Sequence, residues 1–375
     1  MAEKAEFSPM MQEYLKTKEE YSDCILFYRL GDFYEMFFDD AICVSKELEL
    51  TLTGKLCGQE EKAPMCGVPF HAADTYISRL IEKGYKVAIC EQLEDPKQAK
   101  GIVKRGVIRV VTPGTVMESN LLDEKKNNYI MSIYKAGTFF GISVCDISTG
   151  DFRTTQITDS NNFPKLLDEI SRYNPAEIVV NSFMYDSLEE INKIKERFDV
   201  FISKIKEEAF RIEVPKLEIT NENNISIENI EEKKMALASI NGLMFYLIDT
   251  QKNSLEHINK IIMYNTTKYM SLDINARRNL ELTEKMRDKS KKGTLLWVLD
   301  KTSTSMGGRH LRRWINDPLI DVTEINNRLS AVKELKENII LRGDITELLK
   351  KVYDIERLAG RISYGSANRE RLNFT

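Results

Sequence analysis

At 375 residues, with 42% hydrophobic and 30% charged side chains, the chain has the composition of a globular protein and excludes a disordered tail as its main content. That length predicts two or three domains, each able to bury its own core. A net charge of −4, from 54 basic and 58 acidic residues, does not by itself advertise a nucleic-acid binder. No apolar run approaches the roughly 18 residues of a membrane span.

In chain order, Ser8-Pro9 predicts a helix start, with Ser as N-cap and Met10, Met11, Tyr14 and Leu15 on one face to about Glu20. Residues 24–30 read as a strand. Asp39 or Asp40 is placed to cap a second helix through about Leu48, and Leu48, Leu50 and Leu52 suggest a strand ending at Gly54. A helix over about 72–82 should stop at Gly84. Strands near 85–90 and 106–112 complete a mixed α/β unit, and Pro113-Gly114 marks a turn and a boundary. After a polar linker at 121–128, strands at about 129–135, 139–146 and 151–156 lie close together. A helix (162–173), a strand (177–181) and a helix (185–197) follow, which fits a sheet layered with helices. Residues 204–234 read as a variable surface segment before a helix at about 233–250. From about 264 the chain reads as helical. Leu329, Val332 and Leu335, then Leu348, Val352, Ile355 and Leu358, recur at amphipathic steps, and Gly307-Gly308 permits a tight bend or a close helix approach.

Chemistry concentrates in a few places. In Arg29-Leu30-Gly31-Asp32-Phe33-Tyr34-Glu35, extended chain after the Gly-Asp break would point Phe33 and Glu35 the same way. A ring and an acid aimed together can wedge a base step and hydrogen-bond the disturbed base. The competing reading is core packing, since Phe27, Tyr28, Tyr34, Phe37 and Phe38 crowd the same region. Between Lys97 and Arg109 stand Lys97, Lys100, Lys104, Arg105 and Arg109 with no acid, either a phosphate-contacting stretch or a solvated loop. The only Gly-Lys pair, Gly54-Lys55, is followed by Leu56, and Glu49 stands where a phosphate loop needs its first glycine, so no nucleotide site is expected. Six cysteines without a C-x-x-C pair and only three histidines argue against zinc and for reduced thiols in a cytosol. The N-terminus lacks the basic-then-apolar pattern of a secretory signal.

Gly31-Asp32-Phe33-Tyr34-Glu35-Met36-Phe37 resembles the mismatch-reading motif of the bacterial MutS family of DNA mismatch repair proteins. Further blocks resemble the family in its own order: Pro64-Met65-Cys66-Gly67-Val68-Pro69-Phe70-His71-Ala72, then residues 87–92, 109–115, 272–282, 295–302, 306–309 and 312–314. The likeness runs from residue 8 to about 372. It implies a multidomain α/β plus all-α fold: a mixed α/β mismatch-recognition domain over 1–116, a ribonuclease H-like α/β connector over 117–262, and the first part of a helical core or lever domain over 263–375. By the same resemblance, Phe33 would enter the minor groove at a mispair and Glu35 would hydrogen-bond the base. Lys104, Arg105 and Arg109 become candidates for phosphate contacts, and Met65 and His71 for lining the groove. Arg277 and Arg278 would belong to interdomain salt bridges, and Arg309, Arg312 and Arg313 to helix surfaces. No catalytic residue and no metal ligand is expected.

The family's ATPase, with ATP and Mg2+, and its clamp domain would lie beyond residue 375. The chain is therefore expected to be a truncated N-terminal portion without ATPase activity. Its implied partners are mismatched or looped duplex DNA, MutL through the connector, and a second copy in the complete protein. The portion itself is expected to be monomeric, in a bacterial cytoplasm and without membrane contact. Two rival readings stand beside this one. The chain could be an interaction module without DNA discrimination of its own. It could also be a ribonuclease H-like nuclease, for which Asp146 and Asp151 lie at strand ends without an evident acidic cluster.

Overall fold

The structure, a computed structural model, describes residues 7–94, 103–118, 121–159, 163–211, 217–227, 232–253 and 255–363. The chain divides into two units, Met1–Thr115 with Ile248–Asn253, and Val116–Leu247 with Ser254–Thr375.

Six strands form the sheet of the first unit: β1 (Ile25–Leu30), β2 (Phe33–Phe37), β3 (Thr53–Lys55), β4 (Ala63–Pro69), β5 (Val87–Gln92) and β6 (Arg105–Val111). They lie in the order β3-β4-β2-β1-β5-β6, with β1 antiparallel to β2 and parallel to β5. Helix α1 (Pro9–Glu20) covers one face, where Met11 and Tyr14 join Leu26, Tyr28, Phe37, Ala88, Cys90 and Val110 in a buried cluster. Ile25, Phe27, Met36 and Val68, which alternate with these along the strands, are buried as well. Both faces of the central strands are therefore covered, and they read as almost unbroken apolar runs. Helices α2 (Phe38–Leu48) and α3 (Ala73–Glu82) pack against β4 and β5.

Three local expectations change here. Ser8 precedes α1, but its side chain makes no capping bond, so Pro9 at the first helical position supplies the start signal. Asp40 does not cap α2. It is buried, accepting from the Leu26 backbone N–H at 2.9 Å and from Lys18 at 2.9 Å, and so ties the helix to β1 and α1. The alternating Leu48, Leu50 and Leu52 do not make a strand; α2 ends in a left-handed Glu49, and only Thr53–Lys55 pairs with β4.

The second unit is built on β7 (Ile130–Ala136), β8 (Phe139–Asp146), β9 (Asp151–Thr158), β10 (Glu177–Val180), β11 (Phe201–Lys204), β12 (Glu218–Asn221) and β13 (Lys260–Met263), ordered β11-β10-β7-β8-β9-β13-β12. β7, β8 and β9 form an antiparallel meander, and β10 runs parallel to β7. Helices α4 (Pro164–Tyr173), α5 (Ser182–Tyr185) and α6 (Leu188–Arg197) cover one face, where Leu166, Ile170, Ile191 and Ile194 meet Met131, Ile133, Ile142 and Val144. On the other face, Ile240, Leu243 and Leu247 of α7 (Lys234–Gln251) meet Ile130, Cys145, Phe152 and Val179. Every β8 residue after Phe139 is buried, as expected of a strand with helices on both sides. The supposed variable segment contributes an edge strand, β12, which pairs in parallel with the unanticipated β13. Residues 212–216 and 228–231 of that segment lie outside the described residues.

The helical remainder comprises α8 (Ile274–Asn279), α9 (Leu295–Leu299), α10 (Ser305–Asn316), α11 (Val322–Glu337), α12 (Ile339–Leu349) and α13 (Ile355–Ser363). Side chains of Asp273, Thr294, Thr304, Asp321 and Asn338 accept backbone N–H bonds at the starts of α8 to α12, each worth about 1 kcal/mol. Gly307-Gly308 makes no bend: it lies within α10, where the Lys125 side chain passes over Gly308. Arg309 and Arg313 do not belong to an open helix surface. Arg309 is buried against Asp354 at 2.7 Å and Glu356 at 2.7 Å, and Arg313 binds Asp151 of β9 at 2.7 Å. Arg312 pairs with Glu284 at 3.4 Å. Arg277 donates to the backbone carbonyls of Leu272 and Asn316. The pair Arg172–Asp317, at 2.7 Å, joins α4 to the end of α10. Along α11 and α12 the apolar side chains Leu329, Val332, Ile340 and Leu348 are exposed.

Candidate nucleic-acid interface

The β1–β2 hairpin closes through Gly31-Asp32, with Leu30 paired to Phe33. Gly31 has φ +59°, at the position where a two-residue hairpin turn demands a positive φ. From there the strand period sends Phe33, Glu35 and Phe37 to one face and Tyr34 and Met36 to the other. Phe37 is buried, its ring 4.9 Å from that of Tyr14 on α1. Phe33, beyond the cover of that helix, is 47% exposed. The two readings of this aromatic cluster are thus divided along the strand, with Phe37 in the core and Phe33 outside it.

Glu35 pairs across the ladder with Gly67 of β4. A Cβ at position 67 would stand 3.5 Å from the Glu35 Cγ and 3.2 Å from the Tyr34 carbonyl oxygen. The missing side chain leaves Glu35 room to lie over β4, where its Oε2 meets the Lys55 ammonium at 2.5 Å. In the sequence, Lys55 reads only as half of a failed phosphate loop. Here Gly54-Lys55 is part of the edge strand β3.

The hairpin tip is pinned from the other face. The Tyr34 hydroxyl donates to Glu91, and Arg29 reaches the same carboxylate at 3.3 Å. Burial, and then the Glu91 carboxylate, push the Tyr34 phenol well above its ordinary range. The Arg29 guanidinium lies 3.8 Å from the Phe70 ring centroid, and the Phe70 N–H donates to the Asp32 carbonyl at 3.0 Å. These contacts brace the hairpin tip from the face opposite Phe33.

The other sequence candidates fall in different places. Met65 shares the face of Phe37 and Glu35, half-buried beside Thr53. His71 is exposed in the short turn Phe70–Ala72, its ring edge-on to Phe70 at 5.8 Å. Arg105 also shares this face, but its guanidinium is engaged: it lies 5.3 Å from the Tyr28 ring and donates to the carbonyls of Arg29 and Val103. Arg109 donates to Gln251 Oε1 at 3.1 Å and to the Thr115 carbonyl at 2.9 Å. Lys104 is exposed. Lys97 and Lys100 lie outside the described residues.

The six cysteines are unpaired, and burial pushes the thiols of Cys66 to about 11 and of Cys24 and Cys90 to about 12, which keeps them protonated. In the second unit, Asp151 is bound by Arg153 at 3.0 Å, Arg313 at 2.7 Å and the Tyr129 hydroxyl at 2.7 Å. Burial alone would raise its carboxyl, but Arg153 and Arg313 hold it well below the usual carboxylate range. Asp146, opposite it in the ladder, accepts from Asn127 and Ser148. Among the described residues, no group of three or more His, Cys, Asp or Glu could hold a metal ion, and no helix is long and apolar enough to cross a membrane.

Comparison with known proteins identifies the family. Three family profiles match in sequence order: MutS domain I over residues 8–120, MutS domain II over 128–259 and MutS domain III over 275–374. Proteins described as DNA mismatch repair protein MutS match nearly the whole chain. That of Ruminiclostridium cellulolyticum is 57% identical over 361 residues, covering 96% of this chain and 41% of the relative. That of Acetivibrio thermocellus is 56% identical over 366 residues, covering 97% and 42%, and one from Clostridium botulinum is 54% identical over 371 residues, covering 97% and 39%. The chain thus spans about two fifths of the length of these relatives. With all three domain profiles matched in order and more than half of its residues identical to these relatives, the chain belongs to the MutS family.

Proposed function

We propose that this chain is the mismatch-reading portion of a DNA mismatch repair protein and that it engages mispaired or looped duplex DNA through Phe33 and Glu35. The observation that carries the reading is the exposure of Phe33 beside a buried Phe37 on the same face of one strand. Leaving a phenylalanine in water forgoes about 1.5–3 kcal/mol of burial, so an exposed ring on a braced hairpin calls for a use. Recognition then works through deformability. A matched step is stiff and stacked, whereas a mispaired one bends and unstacks at lower cost, and Phe33 takes the place of the lost stacking. Glu35 adds a hydrogen bond to the displaced base and, as a carboxylate facing phosphates, disfavours matched duplex.

Lys104 is the candidate phosphate contact whose charge is exposed. Arg105 and Arg109 are better suited to shaping the strand ends, because protein acceptors already hold their guanidinium groups. Met65 and His71 flank the groove-facing surface in this reading. For the second unit we propose a ribonuclease H-like connector. The strand order β9-β8-β7-β10-β11, three antiparallel strands followed by parallel ones, supports it, and a MutL partner would dock there. Nuclease chemistry is the weaker reading, since Asp151 is committed to two arginines. Binding of ATP and Mg2+, pairing with a second copy and release as a clamp are assigned to the length that the relatives have beyond this chain. A cytoplasmic site of action follows from the same reading.

Fluorescence anisotropy tests it: a G·T-mismatched duplex and its matched twin, at stated salt, with wild type and Phe33→Ala. A mismatch preference that disappears in the variant is the expected result. Weak and equal binding of wild type to both duplexes would leave the chain as an interaction module without discrimination of its own.

A further inference from the structure

We infer that Lys55 is a positioning and specificity-determining residue for Glu35: it holds the carboxylate across β4, and a mispaired base must take Glu35 from it. The inference rests on the proposed role of Glu35 and adds a residue to it. In the ladder, Lys55 opposes Ala63 and Glu35 opposes Gly67, so the two stand on the same face of β4 with Met65 between them. The Lys55 side chain spans that gap, its ammonium passing 5.7 Å from the Phe37 ring centroid to end 2.5 Å from Glu35 Oε2. Gly67 leaves the crossing uncrowded: a Cβ there would be in van der Waals contact with the Glu35 Cγ at 3.5 Å and close to the Tyr34 carbonyl oxygen at 3.2 Å. The Glu35 side chain is only 15% exposed in this arrangement. Among the described residues, Glu35 and Lys55 form no other ion pair.

Two consequences follow from charge alone. Facing a matched duplex, the closed pair is neutral, so Lys55 offsets part of the repulsion between Glu35 and the phosphates. Facing a mispair, the carboxylate exchanges its ammonium partner for the base, which compensates the opening of the pair. Removing Lys55 therefore weakens matched binding more than mismatched binding.

The test compares Lys55→Met, Lys55→Arg, Glu35→Gln and the Lys55→Met/Glu35→Gln double variant on the same two duplexes. Lys55→Met is expected to weaken matched binding about fivefold and mismatched binding by less than about twofold, as a coupled charge pair allows. Lys55→Arg should restore the wild-type ratio, and in the Glu35→Gln background Lys55→Met should change both duplexes equally. A DNA-free measurement runs alongside: acetylation of Lys55, followed by mass spectrometry, should be faster in Glu35→Gln than in wild type. Equal effects of Lys55→Met on both duplexes, or an unchanged acetylation rate, would overturn the inference while wild-type mismatch preference stands. Loss of preference in wild type itself would instead remove the proposed function, and this inference with it.

Discussion

Phe33 and Phe37 point to the same face of β2, yet Phe37 is 1% exposed and Phe33 47%. The difference lies in α1, whose Tyr14 closes over Phe37 while the strand runs on past the helix to the hairpin. The two rings should therefore separate in stability measurements. Phe37→Ala is expected to lose about 3–5 kcal/mol, the cost of emptying a packed aromatic site. Phe33→Ala should stay within about 0.5 kcal/mol, as surface changes do. Urea denaturation of both variants at pH 7 decides it. A large loss at Phe33 would mean that its ring is structural.

Much of this division was legible in the sequence, and the reasons for the rest are specific. Period-two alternation puts Phe33 and Glu35 together, and the family resemblance marks them, but alternation alone cannot say where a covering helix stops. Lys55 escaped because ion pairs across an intervening strand leave no spacing signal; only the register of β3 and β4 brings it to Glu35. Asp39 and Asp40 both read as caps because an acid at a helix start has that role more often than the one Asp40 takes, a buried tie to a neighbouring strand. β13 went unseen since Lys260-Ile261-Ile262-Met263 is too short to distinguish from a helix turn before its parallel neighbours are known. Arg309 and Arg313 resembled solvated helix charges, and their acids come from distant parts of the chain, Asp354 and Asp151.

Asp40 offers a direct check on that correction. Its two oxygens separately satisfy the Leu26 N–H and the Lys18 ammonium. Asp40→Ala would leave a buried backbone donor unpaired, at a cost of about 2–3 kcal/mol. Asp40→Asn keeps an acceptor for Leu26 and loses only the ionic half, so it should fall between the alanine variant and wild type. Thermal unfolding followed by circular dichroism would rank the three. Equal stability of the alanine variant and wild type would mean that the bonds of Asp40 to Leu26 and Lys18 add nothing to the fold.

Asp151 predicts a pH signature for the contact between β9 and α10. Its native carboxyl titrates below the ordinary value of about 3.9, because Arg153 and Arg313 outweigh the cost of burial. An acid depressed in the folded state contributes stability that is full above the unfolded value and is lost as pH falls through the native one. Asp151→Asn should therefore cost about 3 kcal/mol at pH 7, where it leaves Arg313 facing a neutral group. The gap between variant and wild type should hold down to about pH 5 and narrow below pH 4. Denaturant midpoints at pH 7, 5 and 3.5 would show it. A gap that stays constant through pH 3.5 would exclude the ion pair as its source.

His257 should act at milder pH. Its Nε2 pairs with the Ile147 carbonyl at 2.8 Å, while Nδ1 is buried with no hydrogen-bond partner among the described residues. The ring is therefore neutral, with Nε2–H donating and Nδ1 bare, and protonation would bury a charged N–H with nothing to receive it. Burial lowers the native value below the ordinary 6.5, with Ile147 and then Asp146 opposing it. A base depressed in the folded state binds its proton more readily when unfolded. Its contribution is thus complete above about pH 6.5 and is lost as pH falls below that. His310 is lowered too, by burial and then by Arg313, and acts in the same direction. Asp168 and Glu169, both raised by burial, act in the opposite direction as they take up protons. The difference between wild type and His257→Gln cancels these shared contributions. Glutamine can still donate to the Ile147 carbonyl but cannot titrate. Its stability should decline less than that of wild type between pH 7 and 5.5, and identical slopes for the two proteins would mean that His257 is solvated in the folded state.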